Sequence, residues 1–160
     1  MNREYKEVLN KSGAAKNKAK EIAGKISDER KRAQSIYQFI QQNVASSDLR
    51  GVFLLRPVDE VLESKRGDPD EINALFVTML REAKLDADLV LVASRNWQTL
   101  AFKFPNFSQF SKIITRINFK QGAVVVDASN PASPFGSLPW FEQGIPGLVA
   151  KSGRMEQRIC

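Results

Sequence analysis

Residues 66–84 constrain the fold most, because they combine a turn with a helix that is too apolar to lie on the surface. Gly67 is suited to the left-handed position that ends a preceding helix, and Pro69 is well tolerated in the first turn of the next one. The helix predicted over residues 69–84 repeats apolar side chains at helical spacing. These side chains are Ile72, Leu75, Phe76, Met79, Leu80 and Ala83. A face this wide predicts the central buried helix of the domain.

Helical patterns also dominate the part of the chain before this segment. Residues 4–26 form a mostly polar helical pattern with a thin apolar line. A second helix is predicted over residues 28–45, with Ser27 as its N-cap residue and a stronger apolar stripe. Pro57 opens a short third helix, and residues 46–56 between them are predicted to be irregular.

Strand patterns follow the central helix. Residues 87–94 are rich in Val and Leu, and residues 111–119 and 123–128 form a predicted hairpin. The Pro- and Gly-rich residues 130–147 predict a long ordered loop or sheet edge. We therefore predict an α+β domain, in which N-terminal helices and a central buried helix pack on an antiparallel sheet.

Positive charge is concentrated at the start of the chain. Residues 1–34 contain ten Lys or Arg and five Asp or Glu, so they hold most of the net charge of +6. The predicted organisation is a basic helical arm over residues 1–30, a core over residues 31–150 and a C-terminal tail over residues 151–160. A solvated helix face is the simplest interpretation of the arm.

The composition disfavours metal and cofactor chemistry. The chain has no His and one Cys, Cys160, so a zinc site is nearly excluded. Asp68, Asp70 and Glu71 lie close together, but their pattern does not resemble a calcium-binding loop. No cofactor is predicted, and no apolar run approaches the roughly 18 residues that span a bilayer.

The order of these segments resembles the transglutaminase-like core of bacterial multidomain proteins, within the papain-like cysteine protease fold. The segments that carry the resemblance are residues 33–40, 57–62, 66–68, 73–83, 110–114 and 126–129. In that family a Gly-Asp-Cys turn presents the nucleophile, one strand carries a His and the next ends in an Asp. The resemblance implies an exported protein in which such a core sits between other domains.

Two of the three catalytic positions of that family carry other residues here. The Cys position is Pro69, the His position is Lys112 and the acid position is Asp127. A thiolate at a helix N-terminus is a strong nucleophile, whereas Pro has neither a nucleophile nor an N–H. The resemblance therefore implies a pseudoenzyme with vestigial triad positions. Lys112 and Asp127 are expected to lie near each other across the hairpin, as an ion pair or a capped loop.

Three functions remain open on the sequence. The first is a non-catalytic binding or scaffold module, whose partners are neighbouring domains of the same polypeptide or a protein or peptide. The second is an enzyme with relocated chemistry, for which Ser111 beside Lys112 is the candidate pair, although adjacent strand residues point to opposite faces. The third is a basic adaptor that binds an anionic partner through residues 1–34. Nucleic acid is an unexpected partner, because aromatic residues are not interleaved with these charges.

Overall fold

The computed structural model describes residues 12–47, 56–93, 109–151 and 154–159. Its helices are α1 (Gly13–Ala23), α2 (Glu29–Asn43), α3 (Val58–Ser64) and α4 (Pro69–Glu82). Its strands are β1 (Ala45–Ser46), β2 (Arg66–Gly67), β3 (Asp86–Val92), β4 (Lys112–Phe119), β5 (Gly122–Val126), β6 (Pro146–Lys151) and β7 (Arg154–Ile159). A 3-10 turn spans Trp140–Glu142. The predicted α+β class is confirmed.

Helix α4 is the centre of the fold, as predicted. Every residue from Asp70 to Leu80 is buried, polar residues included. Pro69 occupies the first turn, and the Glu71 carboxylate accepts a hydrogen bond from the Asp68 N–H at 3.0 Å, as in a capping box. The helix packs against α1, α3 and the strands β3 and β4. Polar side chains on such a helix must find partners inside the protein.

Two predicted helix ends were wrong by one or two residues. Asp28, not Ser27, is the N-cap of α2, and its side chain accepts from the Lys31 N–H at 2.7 Å. The left-handed residue after α3 is Lys65 (φ 54°), not Gly67. Gly67 is needed for a different reason, because a Cβ there would lie 2.8 Å from Val61 Cγ1.

The segment after α2 is not wholly irregular. Strand β1 pairs in parallel with β2, so that Ala45 lies beside Arg66 and Ser46 beside Gly67. The Ser47 hydroxyl also donates a hydrogen bond to the Asp68 carboxylate. This two-stranded sheet anchors the turn that leads into α4. The other residues predicted to be irregular, 48–55, lie outside the described residues.

The main sheet has five antiparallel strands in the order β5-β4-β3-β6-β7. The predicted hairpin is present as β4 and β5, with Phe119 opposite Gly122. The predicted loop or edge over residues 130–147 ends earlier than expected, because β6 begins at Pro146. The predicted tail from residue 151 contains β7, which pairs with β6 along its whole length.

The centre of the main sheet, around β3, is buried on both faces. The larger core lies between the sheet and the helices and includes Leu89 and Leu91 of β3. A smaller cluster on the other face contains Val90 and Val92 together with Leu138 and Ile145 of the connection before β6. This explains why the last four residues of β3, Leu89–Val92, are continuously apolar rather than alternating.

The described part of the predicted arm packs into the core. Ala15, Ala19 and Ala23 of α1 are buried in the larger core. Asp59 of α3 accepts hydrogen bonds from the Ala14 and Ala15 amides at 3.2 and 2.9 Å. The boundaries near residues 30 and 150 stay predictions. No helix in the described ranges is both long enough and apolar enough to cross a membrane.

Candidate functional site

Lys112 and Asp127, two of the three predicted positions, form a direct ion pair. Lys112 is the first residue of β4, and Asp127 directly follows β5. The Lys112 ammonium contacts Asp127 Oδ2, and the Asp127 side chain is 0% exposed. The predicted proximity of the pair is therefore correct.

Asp127 is held by further donors on its other oxygen. Oδ1 accepts from Asn73 Nδ2 at 3.0 Å, from the Ser129 N–H at 3.0 Å and from the Ser129 hydroxyl at 2.6 Å. A buried carboxylate that accepts several hydrogen bonds and pairs with an ammonium has its desolvation largely compensated.

Asn73 of α4 links the third predicted position to this pair. Its Nδ2 atom donates to the Pro69 carbonyl oxygen as well as to Asp127 Oδ1, each at 3.0 Å. Its Oδ1 atom accepts from the Thr115 hydroxyl at 3.0 Å and from the Ala128 N–H at 3.1 Å. Asn73 thus joins Pro69 to Asp127, and Asp127 pairs with Lys112, at the N-terminus of α4 and the adjoining ends of β4 and β5.

Glu142, like Asn73, is a residue of this site that the sequence reasoning missed. It lies in the 3-10 turn, its side chain is 1% exposed, and its Oε1 accepts from Lys112 Nζ at 3.1 Å. Its Oε2 is buried and has no hydrogen-bond partner in the described part of the chain. Burial raises the pKa of Glu142, as does the Asp127 carboxylate, and Lys112 offsets this only in part. One ammonium therefore faces two buried carboxylates.

The charge state of Lys112 follows from this arrangement. Burial lowers the pKa of Lys112, but the carboxylates of Asp127 and Glu142 outweigh burial and raise it above its ordinary value. A general base at neutral pH needs a lowered pKa, near the working pH. Lys112 is therefore an ammonium that is held in place, and it is a poor substitute for the imidazole of a catalytic triad.

Helix α2 contacts the site through the Tyr37 hydroxyl. The Tyr37 hydroxyl donates to the Ser133 carbonyl at 2.8 Å and approaches the Asp127 carbonyl at 3.3 Å. Burial, and then the negative charge of Asp127, raise the pKa of Tyr37. The Tyr37 side chain is thus a neutral donor that fixes the connection after β5.

The three acidic residues around the start of α4 do not meet. Asp68 bonds to Ser47, Asp70 Oδ1 accepts from the Ile113 N–H at 2.6 Å, and Glu71 pairs with Arg56 at 2.7 Å. No cluster of three side chains suited to a metal ion occurs among the described residues. The Asp70 contact ties β4 to α4 directly beside Lys112.

Ser111 and the basic residues have structural contacts of their own. The Ser111 hydroxyl donates to the Val92 carbonyl at 3.3 Å, while Lys112 Nζ bonds to the two carboxylates. In the basic stretch of residues 1–34, Lys20 pairs with Glu82 at 3.2 Å, and Arg32 donates to the Ala83 carbonyl at 2.7 Å. Residues 1–11 of the arm lie outside the described residues.

Of the two missed residues, Asn73 left the clearer signal in the sequence. Asn73 is a polar residue in a helix whose apolar positions predict burial, so it needs an internal partner. Glu142 gives a weaker signal, because it is a lone carboxylate in a Pro- and Gly-rich stretch and acts on a residue 30 positions earlier in the chain. Only the three-dimensional packing of that stretch brings it to Lys112.

Solved structures share this fold. The crystal structure of "a putative protease" from Parabacteroides distasonis has a TM-score of 0.68 and 17% identity, covering 91% of this chain and 28% of its own. That of "a putative cysteine protease" from Cytophaga hutchinsonii has a TM-score of 0.57 and 13% identity, covering 81% of this chain and 43% of its own. This chain therefore spans less than half the length of either protein. Identities this low show the fold alone.

Sequence comparison assigns the family. No curated protein matches the chain. The family model for the transglutaminase-like superfamily matches residues 16–124, which is more than half of the chain and includes both Pro69 and Lys112. The chain therefore belongs to the transglutaminase-like superfamily.

Proposed function

We propose that this chain is a non-catalytic transglutaminase-like domain that acts as a binding or scaffold module within a larger protein. The carrying observation is the chemistry of the positions that match the family's triad. Pro69 supplies no nucleophile, and Lys112 is held as an ammonium between Asp127 and Glu142. Acyl transfer by this route requires both a nucleophile and a base.

Relocated chemistry at Ser111 has less support. Activation of Ser111 would need a base within hydrogen-bond reach of its hydroxyl. The Ser111 hydroxyl donates to the backbone of β3, and the Lys112 ammonium is engaged by two carboxylates. The raised pKa of Lys112 also opposes proton abstraction at neutral pH.

Trp140 is the best candidate contact residue for a partner. Trp140 is 68% exposed, and it is the only large apolar residue of the described ranges that is exposed. Neighbouring apolar residues of this stretch, Leu138 and Ile145, are buried in the smaller core instead. Exposed Trp side chains contribute large contact areas at protein interfaces. An extended peptide or an adjoining domain would fit this role.

The solved relatives support a place within a longer polypeptide. This chain is covered almost completely by the Parabacteroides distasonis protein, yet it accounts for only 28% of that chain. We therefore propose neighbouring domains of the same polypeptide, or a protein or peptide ligand, as the partner.

Enzyme assays test the non-catalytic part of the proposal. The purified chain is incubated with peptide, ester and glutaminyl substrates, and we expect no turnover above buffer. Turnover that is lost in Ser111→Ala but kept in the exposed control Ser46→Ala would overturn the proposal in favour of relocated chemistry. Turnover lost in Lys112→Met but kept in Ser111→Ala would also overturn it.

A peptide display library tests the binding part. We expect enrichment of extended peptides whose affinity falls at least tenfold in Trp140→Ala, with no change in the exposed control Lys25→Ala. A library that yields no binder, or binders indifferent to Trp140, would reject the peptide-binding form of the proposal.

A further inference from the structure

Two carboxylates share the single positive charge of Lys112, and this holds whether or not the chain is catalytic. Asp127 and Glu142 are both buried, and both contact the same ammonium. If both carboxylates are ionised, the cluster carries an excess negative charge away from solvent. Such a charge is costly unless it is paired or removed by protonation.

The two carboxylates are not equivalent. Asp127 accepts from Lys112, Asn73 and Ser129, so both of its oxygens are satisfied. Glu142 has one bond to Lys112, and its second oxygen has no hydrogen-bond partner within the described ranges. A proton is therefore better placed on Glu142 than on Asp127.

The charged groups that act on Glu142 come from two elements of the described structure. Lys112 is on β4, and Asp127 is at the end of β5. Tyr37 of α2 faces Asp127, and its raised pKa keeps it neutral. Lys112 also keeps its charge, because its pKa is raised. Glu142 is thus a member of the cluster whose raised pKa favours the protonated form.

Glu142 is also the residue that ties a short segment to the sheet. It closes the 3-10 turn, in which its own N–H bonds to the Pro139 carbonyl at 2.9 Å. The exposed Trp140 belongs to the same turn. We propose that Glu142 is a pH-sensitive latch, which holds the turn Trp140–Glu142 against Lys112 while protonated and loosens it on ionisation.

The sign of the pH dependence is fixed by the direction of the shift. A carboxyl whose folded-state pKa exceeds its unfolded value stabilises the fold fully below the unfolded pKa. That contribution is lost as the pH rises through the folded pKa, here by at most about tenfold in the folding equilibrium constant per pH unit. The latch therefore loosens towards alkaline pH.

Two measurements on the full chain test the latch. Carboxyl NMR, assigned with Glu142→Gln, should show Glu142 titrating above the ordinary Glu value near about 4.3. Hydrogen-exchange protection factors of the Glu142 and Gln143 amides should fall as the pH rises through that titration. In Glu142→Gln they should stay constant, whereas the exposed control Glu63→Gln should behave as wild type.

A Glu142 that titrates at or below the ordinary value would overturn the proposal. Protection factors that do not change in the wild type, or that fall equally in Glu142→Gln, would overturn it as well. The titration of the wild-type chain decides the matter even if Glu142→Gln fails to fold.

Discussion

Two glutamates of this domain, Glu71 and Glu142, are equally inaccessible to solvent, but their pKa values shift in opposite directions. The side chains of Glu71 and Glu142 are each 1% exposed, and each lies beside a basic residue. Burial alone raises the pKa of both groups, yet the pKa of Glu71 is lowered and that of Glu142 is raised. Burial therefore does not decide the outcome.

The difference lies in the number of donors that each carboxylate receives. Glu71 accepts from the Arg56 side chain at 2.7 Å, from the Arg56 N–H at 3.1 Å and from the Asp68 N–H at 3.0 Å. Glu142 shares a single ammonium with Asp127. A buried carboxylate stays ionised when donors outnumber acceptors, and it favours a proton when acceptors compete for one donor.

Removing the shared cation should have the largest effect. Lys112→Met keeps an apolar stem but leaves Asp127 and Glu142 without their positive partner. We expect a loss of about 4 kcal/mol in the free energy of unfolding at pH 7, measured by urea denaturation. The exposed control Lys25→Met should change it by less than about 0.5 kcal/mol. If Lys112→Met and Lys25→Met lower the free energy of unfolding equally, the Lys112 ammonium does not balance the charge of Asp127 and Glu142.

Removing the well-satisfied glutamate should have the next largest effect. Glu71→Ala leaves the Asp68 and Arg56 amides without their acceptor at the start of α4. We expect a loss of about 3 kcal/mol by the same measurement, because several charge-assisted bonds and a helix cap disappear together. Glu63→Ala, on the exposed side of α3, is the matched control. A loss below about 1 kcal/mol in Glu71→Ala would contradict the importance of its donors.

Removing the Asn73 side-chain amide should lower the free energy of unfolding by a smaller amount. Asn73→Ala removes the amide that joins Pro69, Asp127, Thr115 and Ala128 but leaves the ion pair in place. We expect a loss of about 2 kcal/mol, since buried partners lose neutral and charge-assisted bonds. Asn43→Ala, whose amide bonds at the surface of α2, is the control. If both variants unfold at the same urea concentration, Asn73 does not organise the site.

The two glutamates should also give pH dependences of opposite sign. The lowered pKa of Glu71 contributes stability above its unfolded value, and that stability is lost as the pH falls through its folded pKa. The raised pKa of Glu142 contributes stability that is lost as the pH rises. Each slope is at most about 1.4 kcal/mol per pH unit. In unfolding curves measured from pH 3 to 9, Glu71→Gln should lose part of the decline in stability with falling pH, and Glu142→Gln should lose part of the decline with rising pH.

The sequence predicted the parts of the fold that local patterns specify. The apolar face after Pro69 marked α4, and the alternation around Lys120 marked the β4–β5 hairpin. The pairing of β1 with β2 was missed, because two short strands far apart in the chain leave no periodic signal. The β6–β7 hairpin was missed because Pro146 and the flanking glycines read as a loop.

The site was predictable to a similar extent. The family resemblance marked Lys112 and Asp127, and the hairpin predicted that these two residues lie close together. Asn73 was accessible in principle as a polar position in a buried helix. Glu142 was not, because its role depends on how an irregular segment folds back over the strand ends. Long-range packing of loops is what sequence patterns encode least.

The contact between Asp59 and the start of α1 makes the N-terminal cap of α1 depend on another helix, α3. Asp59 of α3 caps α1 by accepting from the amides of Ala15 and Ala14, which lie 44 and 45 positions earlier in the chain. The N-cap residue of α1, Ser12, makes no capping hydrogen bond through its side chain. The first amides of α1 therefore have these carboxylate acceptors only when α3 is packed beside them. A peptide of residues 12–27 should show little helix by circular dichroism, and α1 should be among the last elements to consolidate during folding.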